Sequence, residues 1–290
     1  MRARTDECTH SRSNKRVGNG SFDIRQFRFF LAPTKYYEAM LKVERDGSVL
    51  RVSLNRPEVR NALNDALIES ITQVFKTMVP DIRVVVLSGE GASFCSGGDL
   101  EWMRKAAGYT EKENVADALK VSEMFTAIRD CHAVTIASVH GAAMGGGSGM
   151  IAACDIAIAT PESKFGFTEV KLGLIPATIS PFVIDRIGKG HARALFVTGE
   201  VFDAAHALTI GLIHEIDEGD RERSVNRKIR AILAAGPKAI IGAKGLVNDS
   251  PLSAAETAKR LGAARASDEG KAGIAAFLNK ERAPFVTEMD

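Results

Sequence analysis

The chain has 290 residues, 45% of them hydrophobic and 6% aromatic, which suits one large or two small globular domains with an aliphatic core. Its formal net charge is +2, so no strong field points to nucleic acid or to a membrane surface, and no apolar run reaches the ~18–20 residues of a membrane span. The four cysteines, Cys8, Cys95, Cys131 and Cys154, form no Cys-x-x-Cys pair and have no histidine cluster beside them, which argues against a bound metal.

Residues 1–37 carry Arg2, Arg4, Arg12, Lys15, Arg16, Arg25, Arg28 and Lys35 against Asp6, Glu7 and Asp23, without the apolar core of a secretory signal. They read as a disordered basic extension. A mitochondrial presequence is the alternative, and the early Asp6-Glu7 pair argues against it. Met40 to Glu44 and Ser48 to Leu54 read as two strands joined by a turn at Asp46-Gly47. Asn64 is the N-cap of a helix to about Met78, with Leu67, Ile71, Val74, Phe75 and Met78 at helical spacing. Arg83 to Ser88 is a continuous apolar strand, expected to be buried on both faces. Thr110 to Asp130 is a helix, Val134 to Val139 a second buried strand, and Asp155 to Ala159 a third. Beyond Pro176 the pattern is mostly helical: Ser180 to Ile187, Gly190 to Thr198, Asp203 to Ile210, Arg221 to Ala235, Pro237 to Asp249, Ser253 to Ser267 and Asp268 to Lys280. The order strand–helix–strand predicts an α/β fold with crossover connections.

Two glycine-rich loops carry the chemistry. Cys95-Ser96-Gly97-Gly98-Asp99-Leu100 and Met144-Gly145-Gly146-Gly147-Ser148-Gly149 each follow a stretch of β-formers and open a helix. Helix starts point free N–H groups outward with the dipole behind them. Two such donors facing each other make an oxyanion hole for a carbonyl oxygen that gains negative charge. The alternative is a pair of tight strand-to-helix turns. Glu169 lies among Phe165, Phe167 and Val170, where desolvation raises a carboxyl's pKa toward a useful value. The alternative there is a helix-start glutamate with Thr168 as cap. Asp99 is expected to cap the helix at Leu100. Asp155 and His140 read as buried hydrogen-bonding residues, and Trp102 and Met103 as the wall of an acyl pocket or as packing. Three of the cysteines read as small core residues of a reducing compartment.

These residues resemble the crotonase (enoyl-CoA hydratase/isomerase) family from about Leu41 to Phe285. The marks are Leu54-Asn55-Arg56-Pro57, Arg60-Asn61-Ala62-Leu63, the Phe94 to Leu100 loop, His140-Gly141, Cys154-Asp155-Ile156, Phe165 to Glu169 and Leu174-Ile175-Pro176, in that order. The run from Glu169 to Pro181 is similar to the bacterial methylglutaconyl-CoA hydratase branch. The resemblance implies a crotonase-like spiral of ββα turns over residues 38–200, and a helical C-terminal trimerisation region over 201–290. It implies a homotrimer or homohexamer and an acyl-CoA thioester substrate. Coenzyme A would enter as part of that substrate, with no other cofactor. It makes Glu169 the group that moves a proton at the substrate's α-carbon, and Gly98 and Gly146 the oxyanion donors. Ala62 and the segment Gly98, Asp99, Leu100 and Glu101 would line the CoA path, with Gly146 at the thioester and Lys259 at the adenine end. Some relatives carry a lysine where this chain has Glu101; Arg104 or Lys105 would substitute.

Gly149 departs from the pattern. Two-glutamate hydratases place a second glutamate there to activate water. In its absence water is guided by Glu169 itself, by Ser148 or Thr178, or by a carboxylate on the substrate. Gly149 either makes room for a branched acyl group or suits helix packing. The expected activity is hydration of a short branched 2-enoyl-CoA, 3-methylglutaconyl-CoA to 3-hydroxy-3-methylglutaryl-CoA. The alternatives are an enoyl-CoA isomerase using Glu169 alone, an isohexenylglutaconyl-CoA hydratase of acyclic terpene catabolism, and a non-catalytic RNA-binding protein. The near-zero net charge and the lack of interleaved basic and aromatic residues argue against the last. The expected location is the cytoplasm, or the mitochondrial matrix in a eukaryote.

Overall fold

A main sheet of six strands, in the order β1-β2-β3-β4-β6-β9, organises the computed structural model, which describes residues 40–289. The basic extension and Cys8 lie outside the described residues. β1 (Leu41–Asp46) and β2 (Val49–Leu54) form an antiparallel hairpin. β3 (Val84–Gly89), β4 (Val134–Val139), β6 (Ile156–Ala159) and β9 (Glu215–Ile216) join in parallel. β4 is buried at every position. Even its polar residues, Thr135 and Ser138, are enclosed, as expected of a parallel strand covered on both faces.

On one face lie α1 (Asp65–Thr77) and α3 (Glu111–Arg129), packed on each other, then α4 (Gly146–Ala153) and α5 (Ser180–Thr198). Asn64 caps α1 by accepting from the Leu67 N–H at 2.9 Å. Thr110 and Glu113 form a reciprocal capping box at the start of α3. Between these, α2 (Leu100–Ala106) is a short helix capped by Asp99. α5 bends at Gly188, where the sequence predicts two helices. After the short α6 (Ala204–Thr209), α7 (Arg221–Leu233) covers the other face, seating Val225, Ile229 and Leu233 on Val84, Val86, Ile136 and Ile158. The chain then runs into α8 (Pro237–Asn248), α9 (Ala254–Ala266) and α10 (Asp268–Asn279), which pack on one another. This is the α/β spiral that the motifs imply. No helix among the described residues is long and apolar enough to cross a membrane.

Four short strands escape a reading by periodicity. β9 is one, and the others form a second sheet in the order β5-β7-β8: β5 (Ala142–Met144), β7 (Lys164–Gly166) and β8 (Val201–Asp203). Strands of two or three residues are too short to show an alternation.

Candidate active site

Three parallel segments end side by side and deliver the functional loops. β5 pairs with β7 through Ala142↔Lys164, Ala143↔Phe165 and Met144↔Gly166. On the other flank of β5, Cys95 bridges Ala143 in parallel, with the Cys95 N–H donating to the Ala142 carbonyl and the Met144 N–H to the Cys95 carbonyl. The chain leaving Cys95 carries Gly98. The chain leaving Met144 carries Gly146 as the first residue of α4, and the chain leaving Gly166 carries Glu169. Residues more than 70 positions apart therefore meet at one sheet end.

Leu63 holds the Gly98 loop from the far side. It bridges Gly98 in parallel: the Leu63 N–H donates to the Gly97 carbonyl at 2.7 Å, and the Asp99 N–H donates to the Leu63 carbonyl at 2.9 Å. Leu63 also reaches the second loop, because a Cβ on Gly146 would lie 2.6 Å from its Cδ1. Neither the Gly98 N–H nor the Gly146 N–H has an acceptor among the described residues. Gly98 is exposed and Gly146 half-buried, so both donors can face a ligand. Trp102 and Met103 lie against the Cα of Gly98, at 3.6 Å and 3.3 Å from where a Cβ would stand.

Glu169 opens a single 3-10 turn, Glu169–Leu172, half-buried at its start. Its Oε1 lies over Gly145: a Cβ there would stand 3.2 Å away, and the combination of φ +50° with ψ −115° at Gly145 already favours glycine. Oε2 is buried without a hydrogen-bond partner, and burial raises the carboxyl's pKa. Thr168 stands at the N-cap position of this turn but makes no side-chain cap bond.

Asp99 accepts from the N–H groups of Glu101, at 2.8 Å, and Trp102, at 3.3 Å, as its expected capping role requires. Ala62 is buried beside the loop. Leu100 and Glu101 are exposed at the start of α2. Lys105 lies at 3.6 Å from Asp65 and above the Tyr109 ring. Lys259 is exposed on α9 and is not among the residues that the three segments gather.

The structure corrects two expectations around the second loop. Gly149 makes no room for an acyl group: a Cβ there would overlap Ile179 Cγ2 and stand 3.0 Å from Phe125 Cζ. Those side chains fill the space, so the packing alternative holds. Ser148 is buried, and its hydroxyl donates to the Ala143 carbonyl at 2.7 Å, so it is not free to guide water. Asp155 accepts from the Thr135 N–H, the Thr135 hydroxyl and Lys244 Nζ. His140 Nε2 meets the Gly91 carbonyl at 2.8 Å, and burial lowers its pKa. Both are hydrogen-bonded as the sequence predicts, but they are half-buried rather than buried, and His140 Nδ1 has no partner among the described residues. Cys95, Cys131 and Cys154 are free and buried, with the Cys95 and Cys154 thiols pushed up to about 12 by desolvation, so they are inert packing residues.

Two supporting residues stand in the sequence only as parts of a motif. Asn61 is fully buried at φ +56°, and its amide nitrogen donates to the Glu90 and Ser93 carbonyls at 2.8 Å each. Arg56 joins the Ala62 carbonyl to Asp99. A charged side chain at the end of an apolar strand, next to Pro57, was the available signal.

A family model described as enoyl-CoA hydratase/isomerase matches residues 44–288. A crotonyl-CoA hydratase of Syntrophomonas wolfei is 30% identical over 264 residues, 87% of this chain and 99% of its own length. An enoyl-CoA hydratase of Alternaria alternata is 35% identical over 210 residues, 71% of this chain and 68% of its own. The crystal structure of an enoyl-CoA hydratase from Shewanella pealeana matches with a TM-score of 0.82 at 32% identity, covering 87% of this chain and 100% of that one.

Proposed function

The chain belongs to the enoyl-CoA hydratase/isomerase family and is an enoyl-CoA hydratase-type enzyme acting on acyl-CoA; from that premise we propose that its substrate is 3-methylglutaconyl-CoA, hydrated to 3-hydroxy-3-methylglutaryl-CoA in leucine catabolism. The observation that carries the chemistry is the meeting of two acceptor-free N–H groups, on Gly98 and Gly146, with the half-buried carboxyl of Glu169 over Gly145. The thioester carbonyl accepts from both N–H groups. Its double bond is polarised, and negative charge gathers on the carbonyl oxygen as C3 is attacked. Glu169 takes a proton from water while the water oxygen bonds to C3. It then gives that proton to C2 as the enolate collapses, and so returns to its starting state. A raised pKa suits a group that must both accept and return a proton near neutral pH.

One carboxylate can serve both ends only if the water is held against it. Position 149 offers nothing and Ser148 is committed elsewhere, which leaves Thr178, half-buried just ahead of α5, and the substrate itself. The distal carboxylate of a glutaconyl thioester supplies the missing acceptor. This, with the resemblance of the run Glu169–Pro181 to the methylglutaconyl branch, supports the substrate. Coenzyme A is part of that substrate, and no further cofactor takes part. The same absence favours a second reading, an enoyl-CoA isomerase, because moving a proton between two carbons needs only Glu169.

A coupled assay on 3-methylglutaconyl-CoA, crotonyl-CoA and a 3-enoyl-CoA, each beside Glu169→Gln, separates the two. Hydration of the glutaconyl ester, lost in the variant, is expected. Double-bond migration of the 3-enoyl ester without net hydration would establish the isomerase instead.

A further inference from the structure

Arg56 leaves the end of β2 and returns beneath the first glycine loop, with its side chain 13% exposed. Its Nη1 donates to the Ala62 carbonyl at 2.5 Å and its Nη2 to Asp99 Oδ2 at 2.8 Å. The other Asp99 oxygen accepts from the N–H groups of Glu101 and Trp102. The backbone of the same segment is locked as well: the Arg56 N–H donates to Asn61 Oδ1, and the Asn61 N–H to the Arg56 carbonyl, each at 2.8 Å. Gly98 thus lies between a residue tied to Leu63 and a residue tied to Arg56.

Desolvation pushes the Asp99 carboxyl up, but the Arg56 hydrogen bond and the two N–H groups outweigh it and hold it below the usual carboxylate range. Asp99 is therefore ionised, one residue from an N–H that would stabilise an oxyanion. An unbalanced negative charge there opposes the charge that develops on the substrate's carbonyl oxygen. Among the described residues the guanidinium is the charged group paired with this carboxylate, and its planar fork reaches the carboxylate and a carbonyl together.

We propose that Arg56 is a positioning residue for the reaction: it cancels the Asp99 charge beside Gly98 and fixes the Gly98 loop against Ala62. The proposal rests on Gly98 serving as an oxyanion donor. It assigns Arg56 an electrostatic role that a purely structural clasp would not have.

The test compares wild type, Arg56→Met, Arg56→Lys and the double variant Arg56→Met/Asp99→Asn, each checked for folding by circular dichroism. For Arg56→Met we expect kcat to fall ~10–100-fold, short of the ~10²–10³-fold lost with a whole oxyanion donor, with KM changed less than about 3-fold. The double variant is expected to regain roughly 5-fold or more of that kcat, because the unbalanced charge is gone while Asn still caps α2. A clasp alone predicts a double variant no better than the single one, and that result would overturn the proposal. Arg56→Lys keeps the charge but offers no fork, so its loss should be the smaller; it carries the test if Arg56→Met does not fold. A second readout uses bound 2,4-hexadienoyl-CoA, whose absorption moves to longer wavelength as its carbonyl is polarised. No shift in the wild type would sink the oxyanion reading and the proposal with it. A wild-type shift that survives undiminished in saturated Arg56→Met would sink the proposal alone.

Discussion

Gly149 and Ile179 compete for one volume: a Cβ on Gly149 would overlap Ile179 Cγ2 and stand 3.0 Å from Ile179 Cβ. Both residues are buried, one on α4 and the other just ahead of α5. Gly149→Ala should therefore overpack the site and cost about 1–3 kcal/mol. Ile179→Ala alone should leave a cavity and cost about 2–5 kcal/mol. Combined, the added methyl fills part of the space that Ile179 vacates. The double variant should then be markedly more stable than the sum of the two single effects. Urea denaturation of the four proteins measures this, and strict additivity would mean that the two side chains do not share the space. By the same geometry, Gly149→Glu alone should give a poorly folded protein rather than a better hydratase.

Glu169 gives a pH prediction with a fixed sign. Burial raises its folded-state pKa, while the unfolded chain keeps the ordinary value. Between those two values the folded state binds more protons than the unfolded one. Glu169's contribution to stability is therefore lost as pH rises through that window and is level above it. Glu169→Gln should remove this slope and melt higher than wild type at neutral pH, but not at pH values below the ordinary carboxylate range. Activity runs the other way. The ionised carboxylate starts the reaction, so kcat/KM should fall as pH drops through a value above the usual range, and Glu169→Gln should cost about 10²–10⁴-fold in kcat. A variant less stable than wild type at neutral pH would remove the argument from burial.

The main sheet and the long helices were legible because each carries a full period of pattern. Asn64, Asp99 and Thr110 all cap the helices that the sequence assigns them. Glu169, Gly98 and Gly146 could be named, but their meeting could not be seen. It depends on β5 and β7, three residues each, and on the single bridge of Cys95 to Ala143. Such short pairings are decided by the surrounding tertiary structure and not by local propensity. Gly149 shows the same limit. A glycine in a sequence does not say whether the space beside it is empty, and Ile179, 30 positions on, supplies the answer.

Lys244 on α8 ties the C-terminal helices to the sheet. Its Nζ donates to Asp155 Oδ2 at 2.8 Å and to the Ala133 carbonyl at 3.3 Å, with the lysine side chain only 11% exposed. Lys244→Met should cost about 1.5–3 kcal/mol, the value of a hydrogen bond to a charged group. It should also loosen α8 to α10 before the core. Limited proteolysis followed by mass spectrometry is the measurement. Cleavage beginning between residues 236 and 280, faster than in wild type, is expected. Unchanged cleavage there would show that Arg83, which bonds the Phe285 carbonyl and the Thr287 hydroxyl, holds the region without Lys244.

The last prediction concerns the apolar side chains that α8 to α10 leave uncovered. Ile274, Phe277 and Leu278 stand at positions i, i+3 and i+4 of α10, so they form one stripe, and Phe277 is 82% exposed. Leu261 on α9 and Val247 on α8 are also exposed. Burying a side chain of this size is worth about 1.5–3 kcal/mol, so several together can hold a stable contact. A second copy of this chain is the expected occupant, in the homotrimer or homohexamer that the family resemblance implies. Sedimentation velocity should then give a multiple of the 31.1 kDa chain mass for the wild type. Phe277→Asp combined with Leu278→Glu should shift it to the monomer, because like charges at the centre of an apolar contact must be desolvated without a partner. Circular dichroism should stay unchanged, since these side chains are exposed and lie outside the hydrophobic cores. A wild type that sediments as a monomer at micromolar concentration would overturn the assembly, and an oligomer that survives both substitutions would move the interface off α10.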